Sequence, residues 1–128
     1  MILYILVFWS YFQAESYTVD IQVNNFKSDA GKAYLMILDE REKEQGTAIV
    51  SIKNNVAKHQ FVVPKKGRYA IKVFHDANNN KKLDTNMLGI PKEQWGTSNN
   101  VKASLAPPDF GKMLFLVDKN TQIQIRLH

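Results

Sequence analysis

The sequence predicts an all-β domain built as an antiparallel β-sandwich of about seven strands, and three observations carry the prediction. Short segments alternate apolar and polar residues with period two, the signature of strands with one buried face. Turn-forming Asn, Gly and Pro separate those segments at short intervals. No stretch shows a long helical period or an internal repeat. Two sheets that bury their apolar faces against each other satisfy this pattern, and a small barrel is the alternative closure.

The first strand is read from Val19, Ile21 and Val23, which alternate with Asp20, Gln22 and Asn24. A turn over residues 25–32 follows, with Asp29 and Gly31. Residues 33–38 are apolar on both parities, which predicts a central strand covered on both sides. The charged run DEREKEQG at 39–46 reads as a solvated loop or a single helical turn. Residues 48–53 and 56–63 flank Asn54-Asn55, a pair suited to a two-residue hairpin because Asn tolerates the left-handed backbone region. Pro64 ends the second of them, having no amide hydrogen for a ladder. In residues 69–75, Tyr69, Ile71, Val73 and His75 share one face. Further strands are expected at 101–105, at 111–117 and at the end of the chain, where Ile123, Ile125 and Leu127 alternate with Gln122, Gln124 and Arg126.

Composition narrows the function classes. One hundred and twenty-eight residues suit one domain with its own core. The net charge of +5 comes from scattered Lys and Arg, without the stripe or aromatic signature of a nucleic-acid binder. The basicity is read as a solvated surface and no nucleic-acid partner is expected. There is no Cys, so disulfides, Cys metal sites and Cys nucleophiles are excluded together. Residues 1–12 are almost unbroken apolar and aromatic, and Ala14-Glu15-Ser16 places small residues where signal peptidase reads. The run is shorter than an ordinary transmembrane helix. The expectation is therefore a signal peptide over 1–16 and one domain over 17–128, secreted or periplasmic, with no stable membrane insertion after cleavage. An uncleaved anchor is the alternative.

The stretch 75–100, HDANNNKKLDTNMLGIPKEQWGTSNN, breaks the strand pattern. So long an irregular connection in a small domain points to a function. Asp76, Asn78, Asn80, Lys82 and Asp84 fall at positions 1, 3, 5, 7 and 9 of the spacing that calcium loops use, the seventh acting through its carbonyl. Lys81 stands where such loops have Gly, and Met87 where helix-loop-helix sites have a bidentate Glu, so this is not an EF-hand. Glu93 is the candidate late carboxylate. Equally, Asn and Asp bond nearby backbone and can fix turns without metal. Calcium ligation and a metal-free turn network both stand as readings.

His75, Trp95, Ser98 and Asn99 complete the candidate ligand-binding set. His75 ends a strand on its core-facing parity, which favours a hydrogen bond to backbone over a base. Trp95 reads as a plug under the long loop or as a platform for a sugar ring. Ser98 with His75, Asp76 or Glu93 is the nearest approach to a nucleophile set, and it lacks a nucleophile elbow. No catalytic residue is assigned, although a hydrolase using His75 and Glu93 is one alternative function.

The segments YAIKVFHD, NNNKKLDTNMLGIPKE, WGTSNN and PPDF followed by a strand resemble the DUF2141 family of small secreted bacterial proteins. The resemblance runs over most of residues 17–127. It implies a prealbumin-like or immunoglobulin-like sandwich and an export route, and it brings no activity to carry over. The expected function is a non-catalytic binding or structural module with a weak calcium loop, whose partner is an unknown ligand or an envelope protein. A transthyretin-like carrier of a small ligand is the other alternative.

Overall fold

A computed structural model describes residues 15–79, 93–102 and 108–128 of the chain. Among the described residues eight strands form: β1 Tyr17–Asn24, β2 Lys32–Asp39, β3 Glu44–Val50, β4 Ala57–Val63, β5 Gly67–Asp76, β6 Trp95–Thr97, β7 Phe115–Val117 and β8 Thr121–Arg126. One sheet has the order β4-β1-β8, the other β3-β2-β5-β6, with β7 also paired to β5. The fold is thus the expected sandwich. Every strand pair is antiparallel except β1 with β8. Because β1 lies between β4 and β8, the order departs from the immunoglobulin constant type, where the first strand lies beside the second.

The period-two residues do what their spacing dictates. Val19, Ile21 and Val23 of β1 face Leu35 and Ile37 of β2, Ile71 and Val73 of β5 and Ile125 of β8 in one core. Leu35, Val19, Val23, Ile71 and Ile125 have no exposed surface at all. β2 is central in its sheet, flanked by β3 and β5. Its outer face is only half covered, since Tyr34 and Met36 keep partial exposure. Stacking of Tyr34 on Phe74, with ring centroids 5.0 Å apart, shields this second apolar parity. Of the charged run 39–46, expected as a loop or a helical turn, only residues 40–43 form a tight exposed turn; Asp39 ends β2, and residues 44–46 open β3 because they pair back onto β2. There the Asp39 carboxylate accepts hydrogen bonds from the Arg41 and Lys43 amides at 2.9 and 3.0 Å.

Asn54 and Asn55 both take positive φ, 53° and 63°, and close a two-residue turn between Lys53 and Val56. The turn is as expected, but the hairpin does not continue. β3 pairs with β2 and β4 pairs with β1, so the turn is the corner at which the chain changes sheets. Asp29 holds that corner, accepting from the Asn54 and Asn55 amides at 3.0 and 2.7 Å. Inside the edge strand β4, the His59 ring packs on Phe61 at 4.5 Å. Burial holds its pKa below the ordinary imidazole range.

Three expected strands differ. The one expected at 48–53 starts and ends earlier, as β3 Glu44–Val50, because its ladder partner is β2. In 111–117, the first part is a short helix α1, Phe110–Met113, because the Asp109 side chain caps it by accepting from the Gly111 amide at 3.0 Å. Only Phe115–Val117 pairs as β7. Of 101–105, residues 101–102 belong to no regular element and the rest lie outside the described residues. β6 was not anticipated, since three residues carry too little alternation to be read as a strand.

Candidate functional site

The site is built where β5 and β6 leave the larger sheet. Pairing of Phe74 with Trp95 extends one step further, to a hydrogen bond from the His75 amide to the Gln94 carbonyl at 2.9 Å. The same register brings Glu93 opposite Asp76. Glu93 Oε2 accepts from the Ala77 amide at 2.9 Å, which ties the two ends of the long loop together. Asp76 is buried, whereas Asn78 and Asn79 are exposed. Asn79 takes φ 57° and its amide donates to the Asp76 carbonyl at 3.4 Å, a turn of the kind Asn favours. Asn80, Lys82 and Asp84 lie outside the described residues. Among the described residues, no three His, Asp or Glu side chains come close enough together to hold a metal ion.

His75 faces inward. Its Nε2 donates to the Ala30 carbonyl at 2.6 Å, which fixes that nitrogen as the protonated one, and its ring meets Phe26 edge-on at 5.2 Å. The bond joins β5 to the β1–β2 loop. Gln94 strengthens the same junction, accepting from the Lys27 amide and donating to the Asn25 carbonyl, both at 2.8 Å. Sequence reading passed over Gln94 because a polar residue beside a Trp carries no local sign of partners nearly seventy positions away.

Trp95 is not a plug inside the sandwich. It stands half-buried on the outer face of the larger sheet, where register aligns it with Phe74, Tyr34 and Ile49 in a row across four strands. Its ring also meets His128 edge-on at 4.4 Å. The Trp95 and His128 backbones exchange two hydrogen bonds, at 3.2 and 3.1 Å, so β6 joins the two sheets at one corner. Gly96 makes the junction possible, because a Cβ there would lie 2.9 Å from Ile125 Cγ2 and 3.0 Å from Leu127 Cδ2.

Ser98 is fully buried. Its hydroxyl accepts from the Ile71 amide at 2.9 Å and donates to the Met113 carbonyl at 2.6 Å, filling the gap that β6 and β7 leave along the edge of β5. It sits four residues along β5 from His75, roughly 13 Å at the strand rise. That spacing separates the hydroxyl from the imidazole. Asn99, exposed at φ 60°, donates to the Lys112 and Leu114 carbonyls at 3.0 and 2.9 Å. Asn100 accepts from the Arg126 amide of β8 at 2.8 Å. Ser98→Ala is therefore expected to cost about 1–3 kcal/mol, because it strands a buried amide and a buried carbonyl. A urea midpoint that moved no more than for Gln122→Ala, exposed on the outer face of β8, would contradict this role.

Among the described residues, no helix is long and apolar enough to cross a membrane. No curated protein matches the chain, and no solved structure does. One family profile matches, over residues 21–124, and it spans the strands and the loop base described above. The chain belongs to the DUF2141 family, described as an uncharacterized protein conserved in bacteria.

Proposed function

We propose that the chain is an exported, non-catalytic binding module whose site lies at the loop base, on the outer face of the larger sheet. One observation carries the reading. The β5–β6 register gathers the Asp76 and Glu93 segments at the end of the row Trp95–Phe74–Tyr34, so hydrogen-bonding groups and aromatic faces share one surface. Cross-strand stacking accounts for the Tyr34–Phe74 pair within the sheet, and the half-buried Trp95 beside it adds an aromatic face at the loop base. The engagement of His75 with Ala30 and of Ser98 with two backbone groups supports a role without acid–base or nucleophilic chemistry. Export rests on the apolar residues 1–12 and the Ala14-Glu15-Ser16 site.

Within this reading, calcium is held weakly at the loop base by Asp76, Asn78 and Glu93 together with Asn80, Lys82 and Asp84. Lysines in the loop keep its net negative charge small, so the dissociation constant is about 10⁻⁴–10⁻³ M, as in extracellular modules. At one hundred times that constant, binding adds roughly 2.7 kcal/mol to stability. Millimolar calcium is expected to raise the melting temperature, magnesium to raise it less, and Asp76→Ala to abolish the response. Asn79→Ala is expected to leave it intact. A melting temperature indifferent to calcium and to chelator would leave the metal-free turn network as the account of this loop.

A further inference from the structure

We infer that Gln94 is the positioning residue of the loop base: its side-chain amide clamps the foot of the long loop, residues 93–94, to the β1–β2 loop, and so sets where Glu93 and Trp95 stand. The inference deepens the loop-base reading and rests on it for its function. Gln94 is half-buried and lies between the two residues it positions. Its Oε1 accepts from the Lys27 amide and its Nε2 donates to the Asn25 carbonyl, both at 2.8 Å. A backbone amide can only donate and a carbonyl can only accept, so the chemistry of the partners fixes which end of the Gln94 amide faces which. The backbone of the same residue bonds β5, its carbonyl accepting from the His75 amide at 2.9 Å. One residue thus joins the β1–β2 loop to the end of β5.

The ladder alone holds this foot weakly. β6 pairs with β5 through three residues, Trp95 with Phe74, Gly96 with Val73 and Thr97 with Lys72, and a strand that short adds little stability of its own. The β1–β2 loop, by contrast, is anchored at several points. Asn25 Nδ2 donates to the Leu127 carbonyl at 2.8 Å, the Phe26 amide donates to the Asn55 carbonyl at 3.3 Å, and the Ala30 carbonyl accepts from His75 Nε2. A loop tied at that many places is a fixed point, so bonds to it constrain the foot. Successive side chains of an extended chain point to opposite sides. With Gln94 drawn to the β1–β2 loop, Trp95 takes the outer face beside Phe74, and Glu93 meets the Ala77 amide. Without the clamp, the Lys27 amide and the Asn25 carbonyl turn to water and the foot loses its fixed point.

The test compares Gln94→Glu with Gln94→Ala in the full chain, by hydrogen exchange of the His75 and Ala77 amides and by the Trp95 indole resonance. Glutamate keeps the size of the side chain and the acceptor for Lys27, but its ionised form turns a second acceptor toward the Asn25 carbonyl. Below its own pKa, about 4.3 in an unperturbed side chain, the carboxyl O–H can donate there and close the clamp again. Folding favours the protonated form, so the Glu variant loses ground to the parent as pH rises and regains it as pH falls. At neutral pH both variants are expected to exchange the two amides about tenfold faster than the parent, the effect of losing two hydrogen bonds of ordinary net strength, and to shift the indole signal. In acid, read against the parent at the same pH, the Glu variant should return to parental behaviour and the Ala variant should not. The inference is overturned if Gln94→Ala leaves the amides and the indole as in the parent, or if Gln94→Glu shows no recovery in acid. It is also overturned if Ile37→Ala, which weakens the core away from this foot, speeds the two amides as much. Calcium separates the inference from the reading beneath it. Where calcium raises the parental melting temperature, Gln94→Ala should raise the apparent dissociation constant about tenfold, as loss of a residue that orients a metal ligand does, and an unchanged constant overturns the inference. A parent indifferent to calcium sinks the calcium reading, while the amides and the indole still decide the role of Gln94.

Discussion

Leu35→Ala is expected to lower the unfolding free energy by about 2–5 kcal/mol, the range for emptying a fully buried leucine site. Leu35 sits in the middle of β2, without exposed surface, between Ala48 of β3 and Val73 of β5. Both neighbours are held by backbone ladders, so the surrounding chain cannot collapse into the space left behind. Ile37→Ala and Ile125→Ala should fall in the same range, for Ile125 fills the corresponding position of the smaller sheet. Gln124→Ala, exposed on the opposite parity of β8, serves as the control and should stay within about 0.5 kcal/mol of the parent. Denaturant unfolding of the four variants checks the set. A Gln124→Ala loss larger than that of Ile125→Ala would reverse the facing of β8.

Gly31→Ala is expected to cost about 2–5 kcal/mol and to disturb the loop base as well. Gly31 has φ 67°, where a residue with a Cβ loses about 1–2 kcal/mol. A Cβ at this position would also collide with the Asp76 carbonyl oxygen and with the Ala77 backbone. The β1–β2 loop must then move off the end of β5. That movement breaks the bond from His75 Nε2 to the Ala30 carbonyl, one residue away, and a buried imidazole left without its partner costs about 1–3 kcal/mol more. Thermal melting measures the total. The His75 Nε2–H resonance reports the bond directly, and a variant that kept both the resonance and the parental melting temperature would show that the loop does not depend on close approach at Gly31.

What the residues fixed by themselves was local. Alternation of Val19, Ile21 and Val23, or of Tyr69, Ile71, Val73 and His75, names the buried face of a strand because successive side chains must point to opposite sides. Asn54-Asn55 names a two-residue turn because those residues tolerate positive φ. The inward facing of His75 followed from the same parity. Partner choice was not local. Nothing in residues 48–63 says that β3 and β4 belong to different sheets, because a corner and a hairpin share the same turn chemistry and differ only in which distant strands compete for the edges. β6 was invisible for a related reason: three residues carry no period, and their strand exists because β5 and the chain after β8 offer hydrogen bonds on either side. The roles of Ser98, Gln94 and Asp29 were decided in the same way, since a polar side chain bonding backbone far along the chain leaves no spacing to read. Whether Trp95 looked inward or outward turned on the register of β6 against Phe74. Only the assembled sheet supplies that register, because pleat direction is shared between neighbours and a three-residue strand has none of its own.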